Sequence, residues 1–196
     1  MFETVALFFG IELSGNIPVM MDYSLDCSDL TLSCSNSNTK IIYTSKKLVK
    51  LENLQKTIEH LQDNNIQIIY LEELEKNLSA FSIFKCYLAS FIPNLYYSIL
   101  TSAVNDTEPA LVVFTKRERK SIALSHRNLQ ASRYQLLSKI HFTRHDLAFI
   151  PLSLSSAFAL STTLTMLLNG TGVFLQNVTT HYKGIPELVY DISPTI

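Results

Sequence analysis

The chain has 196 residues, 47% of them hydrophobic and 17% charged, enough to bury a sizeable core as one large domain or two small ones. Sixteen basic residues against seventeen acidic ones leave a net charge of −1, so no long-range field gathers nucleic acid. Three cysteines with no CxxC spacing fit neither a disulfide framework nor a zinc site and imply a reducing compartment, while the N-terminus lacks the basic start of an export signal. We therefore expect a cytoplasmic protein.

Along the chain, the apolar residues from Val5 to Leu13 predict a helix that Gly15-Asn16 stops before a short strand, Ile17 to Met21. Lys40 to Thr44 predicts a second strand. One helix is expected next, because Leu48, Leu51, Leu54, Ile58 and Leu61 recur at spacings of three and four, with Asp63-Asn64-Asn65 ending it and Ile66 to Leu71 forming a third strand. Residues 72 to 104 read as helical at first, with Pro93 and the polar stretch Asn105 to Pro109 as connections.

Ala110 to Thr115 predicts a buried strand, and Ser125 an N-cap for a helix from about His126 to Lys139. Asp146 to Pro151, Phe158 to Leu168 and Val173 to Leu175 then give strand, helix, strand. This alternation predicts an α/β fold, a doubly wound sheet with flanking helices. Residues 1–196 are one domain in this reading, divisible into sub-units 1–104 and 105–196. The uncharged stretch Leu147 to Leu168 approaches the about 20 residues that cross a bilayer, but Pro151 and its hydroxyl residues split it into a strand and a buried helix.

Other constellations carry less. His141, His145 and Asp146 have a spacing that suits a metal only on a helix, and Phe142-Thr143-Arg144 reads as loop. Gly170-Thr171-Gly172 reads as a turn, and adjacency of Ser125 and His126 reads as capping rather than as a nucleophile beside its base. No metal ligand and no catalytic residue is assigned.

Phe114-Thr115 followed by Leu124-Ser125-His126-Arg127-Asn128-Leu129 resembles the core of the AMP-binding, adenylate-forming superfamily, where a strand ending in Thr leads to a glycine-rich loop and then to S-H-R-N-L. Gly15 to Tyr23 (G-N-I-P-V-M-M-D-Y) and His181 to Asp191 (H-Y-K-G-I-P-E-L-V-Y-D) are similar to segments of one branch, the bifunctional acylglycerophosphoethanolamine acyltransferase/acyl-acyl-carrier-protein synthetases. The resemblance implies the N-terminal domain of an acyl-acyl-carrier-protein or acyl-CoA synthetase, which activates a fatty acid with ATP and magnesium through an acyl-adenylate. It implies acyl carrier protein or coenzyme A as acceptor, and a setting in fatty-acid and phospholipid metabolism.

The phosphate-gripping loop departs from that pattern. Thr115-Lys116-Arg117-Glu118-Arg119-Lys120-Ser121 contains no glycine, although glycines are what let successive amides converge on phosphate. Thr115, Lys120 and Ser121 are the degenerate phosphate-loop positions: Lys120 stands for the loop lysine and Ser121 for the closing glycine. Ser155 to Ala159 replaces the family's F-H-S-F-G pocket segment, keeping only Phe158 as a vestigial pocket residue, one that reads more readily as core than as a ligand contact. The family's adenine and ribose motifs and its C-terminal domain have no counterpart here. We expect a fragment without activity of its own, to which ATP and magnesium do not bind well. The alternatives are a non-catalytic scaffold reusing the fold and one half of a split synthetase. The missing parts also lead us to expect bare apolar faces on Leu147 to Leu168 and Val173 to Leu175, with self-association or contact with a membrane surface as the consequence.

Overall fold

The structure is a computed structural model describing residues 2–100, 105–115, 120–176 and 185–196, with the backbone alone at 100, 185 and 186. Lys116 to Arg119 and His181 to Gly184, which carry part of the loop and motif readings above, lie outside the described residues. The described elements are helices and short strands in alternation, the α/β class expected.

α1 (Phe2–Leu13) leads to β1 (Val19–Met20), α2 (Cys27–Asn36) and β2 (Ile41–Thr44). α3 (Lys46–Leu51) and α4 (Gln55–Asp63) precede β3 (Gln67–Tyr70), α5 (Leu71–Asn77), α6 (Ala80–Phe91) and α7 (Pro93–Leu100). The second half holds β4 (Pro109–Phe114), β5 (Ser121–Ser125), α8 (His126–Leu137), β6 (Leu147–Ile150), α9 (Ala157–Leu168), β7 (Gly172–Leu175) and α10 (Ile185–Ile192).

The strands pair in three ladders. β4 lies between β1, which it meets in parallel, and β5, which it meets antiparallel; β2 with β3 and β6 with β7 are parallel pairs. The core of the first ladder crosses the chain's midpoint, because Phe8 of α1 packs with Leu111 and Val113 of β4 and with Leu160 and Leu164 of α9. Leu111 is fully buried there. A second cluster, Leu30, Cys34, Leu61 and Ile66, joins α2 and α4 to the β2–β3 pair, and burial pushes the Cys34 thiol up to about 11.

Five helices end by one device. Gly15, Asn38, Asn53, Asn65 and Gly170 all take positive φ, from 51° to 78°. In each case the next amide reaches back five residues to a helix carbonyl, as Asn16 N to Ile11 O, Thr39 N to Cys34 O, Leu54 N to Val49 O, Ile66 N to Leu61 O and Thr171 N to Met166 O. This satisfies carbonyls that the helix end leaves orphaned. Asparagine serves three times where glycine is the commoner choice, because its short polar side chain lowers the penalty of the left-handed region. Asn53 also corrects the expectation of a single helix from Leu48 to Leu61. The apolar spacing is real, but the left-handed turn at Asn53 breaks it into α3 and α4.

Two further expectations change. The stretch Leu147 to Leu168 is not bare: α9 buries Ala159, Leu160, Thr163, Leu164, Thr165 and Met166. β6 is bonded on both sides, by β7 and by the C-terminal residues, where Phe149 N donates to Ile196 O and Thr195 N to Leu147 O. The exposed apolar surface lies on α6 and α7 instead, where Phe81, Phe84, Tyr87, Phe91, Tyr96 and Tyr97 all face solvent. Pro93 is not only a connection, since it opens α7 at a position where a missing N–H costs nothing. No described helix is long and apolar enough to cross a membrane.

The helix-end account leads to a stability test. Asn53→Gly should leave the urea midpoint unchanged or slightly raised, whereas Asn53→Val should cost about 1–2 kcal/mol by forcing a branched residue into the left-handed region. Equal losses in both would contradict it.

Candidate functional site

The candidate site forms where the ladder β1–β4–β5 meets the start of α9. Val113 and Phe114 at the end of β4, Thr115 beyond it, Ile122 of β5, Met20 of β1 and the segment Ser155 to Phe158 surround a cavity of about 250 Å³. Asp22, Leu25 and Ser33 close the remaining side. Three motifs far apart in sequence thus meet: the parallel register Val19 with Val112 and Met20 with Val113 joins the segments around residues 20 and 115, and packing of Leu160 and Leu164 against β4 adds the one around 158.

The edge of this cavity is a hairpin, with a strand, β5, where the sequence motif places the end of a loop. β5 runs back along β4 with Ser121 opposite Phe114 and Ile122 opposite Val113. At the mouth, Thr115 N donates to Lys120 O at 3.0 Å and Lys120 N donates to Thr115 Oγ1 at 3.2 Å. Both amides and the threonine hydroxyl are thus engaged with each other across the strand ends. Ser121, the third of the loop positions, sits in the ladder, so its backbone is committed to sheet pairing. A phosphate cradle needs the opposite, consecutive amides turned outward and unpaired.

The cavity lining is mainly apolar. Among the described lining residues Asp22 is the only charged one, and its Oδ1 accepts from Ser24 N at 3.1 Å and Ser24 Oγ at 2.7 Å, an Asx turn that fixes the loop after β1. Ser153 and Ser155 share a hydroxyl contact at 2.8 Å beside α9, whose N-cap Ser156 makes no side-chain cap bond. A carboxylate facing the cavity opposes a triphosphate, and no described lining residue offsets it.

Phe158 corrects one expectation. It is not a core residue but is 67% exposed, and it lines the cavity from the first turn of α9. Its surroundings could not be read from sequence, because alternate positions of a mostly apolar helix give no sign of which one lies at a cavity mouth.

The S-H-R-N-L segment has a local structural explanation. Ser125 and Asn128 form a capping box: Asn128 N donates to Ser125 Oγ at 3.2 Å and Ser125 N to Asn128 Oδ1 at 3.0 Å. Arg127 N donates to Asp106 O at 2.8 Å, tying the helix start to the loop before β4, and Leu129 packs on the core. His126 lies near Glu12, whose carboxyl is raised by burial and held back in part by the His126 charge.

The histidine constellation resolves as a turn. Asp146 Oδ2 accepts from Thr143 N and Thr143 Oγ1, both at 2.7 Å, and its Oδ1 accepts from Thr195 Oγ1 at 3.0 Å. These hydrogen bonds, with a smaller contribution from His145, hold the carboxyl below its usual range. Asp146 therefore anchors the C-terminal residues beside β6. Gly172 has its own reason, since a Cβ there would meet Leu147 Cδ1 at 3.2 Å and Asp146 O at 3.3 Å.

No protein-family model matches the chain. Among solved structures, the chain is similar to o-succinylbenzoate CoA synthetase (MenE) from Bacillus subtilis in complex with the acyl-adenylate intermediate OSB-AMP. That match has 17% identity and a TM-score of 0.73, covering 99% of this chain and 45% of that one. VinN in complex with L-aspartate gives 14% identity and a TM-score of 0.74 over 100% of this chain and 45% of that one. The N-terminal domain of FACL13 from Mycobacterium tuberculosis gives 13% identity and 0.74 over 98% and 45%. The chain spans less than half the length of each. At these identities the likeness is one of fold, and the fold is the one expected from the sequence.

The capping assignment has a direct test. Ser125→Ala should lower the stability of the chain by about 0.5–2 kcal/mol, read as a shift in urea midpoint at constant slope. An unchanged midpoint would mean that the segment is retained for another reason.

Proposed function

We propose that this chain derives from the ATP-dependent acyl-activating synthetases, in the branch of the acyl-acyl-carrier-protein synthetases, and that it keeps their architecture without their first chemical step. The observation that carries this reading is the mutual pairing of Thr115 and Lys120 at the mouth of the β4–β5 hairpin, which takes up the amides at both ends of the loop. Adenylate formation depends on gripping and aligning the triphosphate for attack at its α-phosphorus, and amides committed to pairing across the strand ends are not free to do so.

Two further features support the reading. The loop sequence from Thr115 to Ser121 has no glycine to let the backbone approach phosphate, and among the described lining residues the one charge, Asp22, has the wrong sign. What survives is a small, mainly apolar cavity on an adenylate-forming fold. Its chemistry suits a neutral or hydrocarbon group better than a nucleotide.

Thermal unfolding tests the proposal. A ligand that binds the native state raises stability by RT ln(1 + [L]/Kd), so millimolar ATP with magnesium at a micromolar site would add about 4 kcal/mol. The expected result is no rise in Tm at millimolar ATP and magnesium. A clear, saturable rise would contradict the proposal and make a split or partnered enzyme the better reading.

A further inference from the structure

The cavity at the end of β4 holds a polar group that the fold leaves unused. Among the described buried polar side chains, Ser155 shares a hydroxyl contact with Ser153, Thr163 and Thr165 donate back to the carbonyls of Ala159 and Ser161, and Thr171 donates to Thr143 O. Asp29 is engaged as well. Ser33 is different. It is 2% exposed and lines the cavity from α2, yet its hydroxyl has no hydrogen-bond partner among the described residues, not even the helix carbonyl four residues back. A buried hydroxyl without a partner costs stability, so its place in a cavity wall calls for an occupant that pairs with it.

We infer that the cavity binds an uncharged aliphatic molecule with one hydrogen-bonding end, an alcohol in the simplest case. Its polar end pairs with Ser33 and its hydrocarbon lies along Met20, Leu25, Val113 and Ile122. The inference rests on the reading that this cavity no longer serves a nucleotide, and it names a ligand without the carboxylate on which acyl activation acts. Size sets the length of the chain. An apolar cavity of about 150 Å³ holds benzene, so the about 250 Å³ here takes roughly eight to ten heavy atoms.

A trapped water serves Ser33 less well. Water needs about two to four polar partners, and those nearby are engaged: Thr115 Oγ1 accepts from Lys120 N, Ser155 is in contact with Ser153, and Asp22 Oδ1 takes two bonds from Ser24. Charge decides among the ends a hydrocarbon could carry. A carboxylate would give up its hydration beside Asp22, with no cation among the described lining residues to meet it. An ammonium has three donors to satisfy, where the wall offers the Ser33 oxygen and a carboxylate already bonded through Oδ1. A hydroxyl or a neutral carbonyl needs no more than Ser33 supplies.

Calorimetric titration of the full chain with 1-octanol, octanoate, octylamine and toluene tests this. The expected result is saturable one-to-one binding of octanol, with octanoate and octylamine at least about tenfold weaker. Ser33→Ala should weaken octanol about three- to tenfold, leave toluene within about twofold, and raise the Tm of the free protein, because it removes a buried hydroxyl that has no partner. A merely structural serine would not couple a gain in stability to a loss of affinity for the alcohol alone. Ala157→Trp, at an exposed position in the first turn of α9 that lines the cavity, should block octanol and toluene alike. Should that variant fail to fold, Ser33→Ala locates the site by itself. Absence of saturable octanol binding overturns the inference, as does octanol binding that Ser33→Ala leaves unchanged or weakens equally with toluene, or octanoate or octylamine binding as tightly as octanol. A chain that ATP with magnesium stabilises loses the nucleotide reading, whereas one that binds neither ATP nor octanol keeps that reading and loses this ligand.

Discussion

The position of β4 constrains everything around it. It is the one strand with a partner on each side in the first ladder, and Leu111 at its centre is completely enclosed by α1, β5 and α9 side chains. Holding β4 fixes β1 in parallel register, which carries Asp22 and Met20 to the cavity, and fixes β5 antiparallel, which turns the chain after Thr115 back on itself. The same geometry thus builds a pocket at the end of β4 and pairs Thr115 with Lys120 at its edge. Separating the strand ends would mean breaking the hydrogen bonds at Thr115 and Lys120 and freeing Ser121 from the sheet, so the backbone there is coupled to the stability of the first ladder.

Scarcity of glycine has a consistent expression throughout the chain. Left-handed helix ends are made by asparagine at positions 38, 53 and 65, at some energetic cost relative to glycine. Glycine is kept where space is short, as at Gly172 against Leu147 and the Asp146 carbonyl. A chain that substitutes asparagine for glycine at helix ends can still fold. A phosphate loop tolerates no such replacement, since there the requirement is an unobstructed backbone and not merely a positive φ.

Much of this was legible in the sequence, and the failures share a cause. The expected strands 110–115, 146–151 and 173–175 follow from short apolar runs bounded by polar residues and fall on β4, β6 and β7 to within a residue at each end, and the Ser125 cap follows from its place before an amphipathic stretch. The spacing of Leu48, Leu51, Leu54, Ile58 and Leu61 concealed a break at Asn53, because hydrophobic period survives a one-residue change of backbone conformation when both helices face the same core. β5 was missed because Ile122, Ala123 and Leu124 form a short run without clear alternation and lie largely exposed, so only pairing with β4 identifies them. The location of the apolar surface was misjudged for a related reason. Composition shows that Phe81 to Ile99 and Leu147 to Leu168 are both apolar, but only tertiary packing distinguishes the one that is covered from the one that is not.

The account stands or falls on whether the strand ends at Thr115 and Lys120 are closed. Amide hydrogen exchange resolved at these two residues measures it without reference to any activity. The account predicts that the Thr115 and Lys120 amides are protected in the protein alone, at the level of the neighbouring β4–β5 pairs, and that millimolar ATP with magnesium leaves that protection unchanged. Amides that exchange freely in the protein alone and become protected when the nucleotide is added would contradict it, because they would then be the unpaired donors of a working phosphate loop.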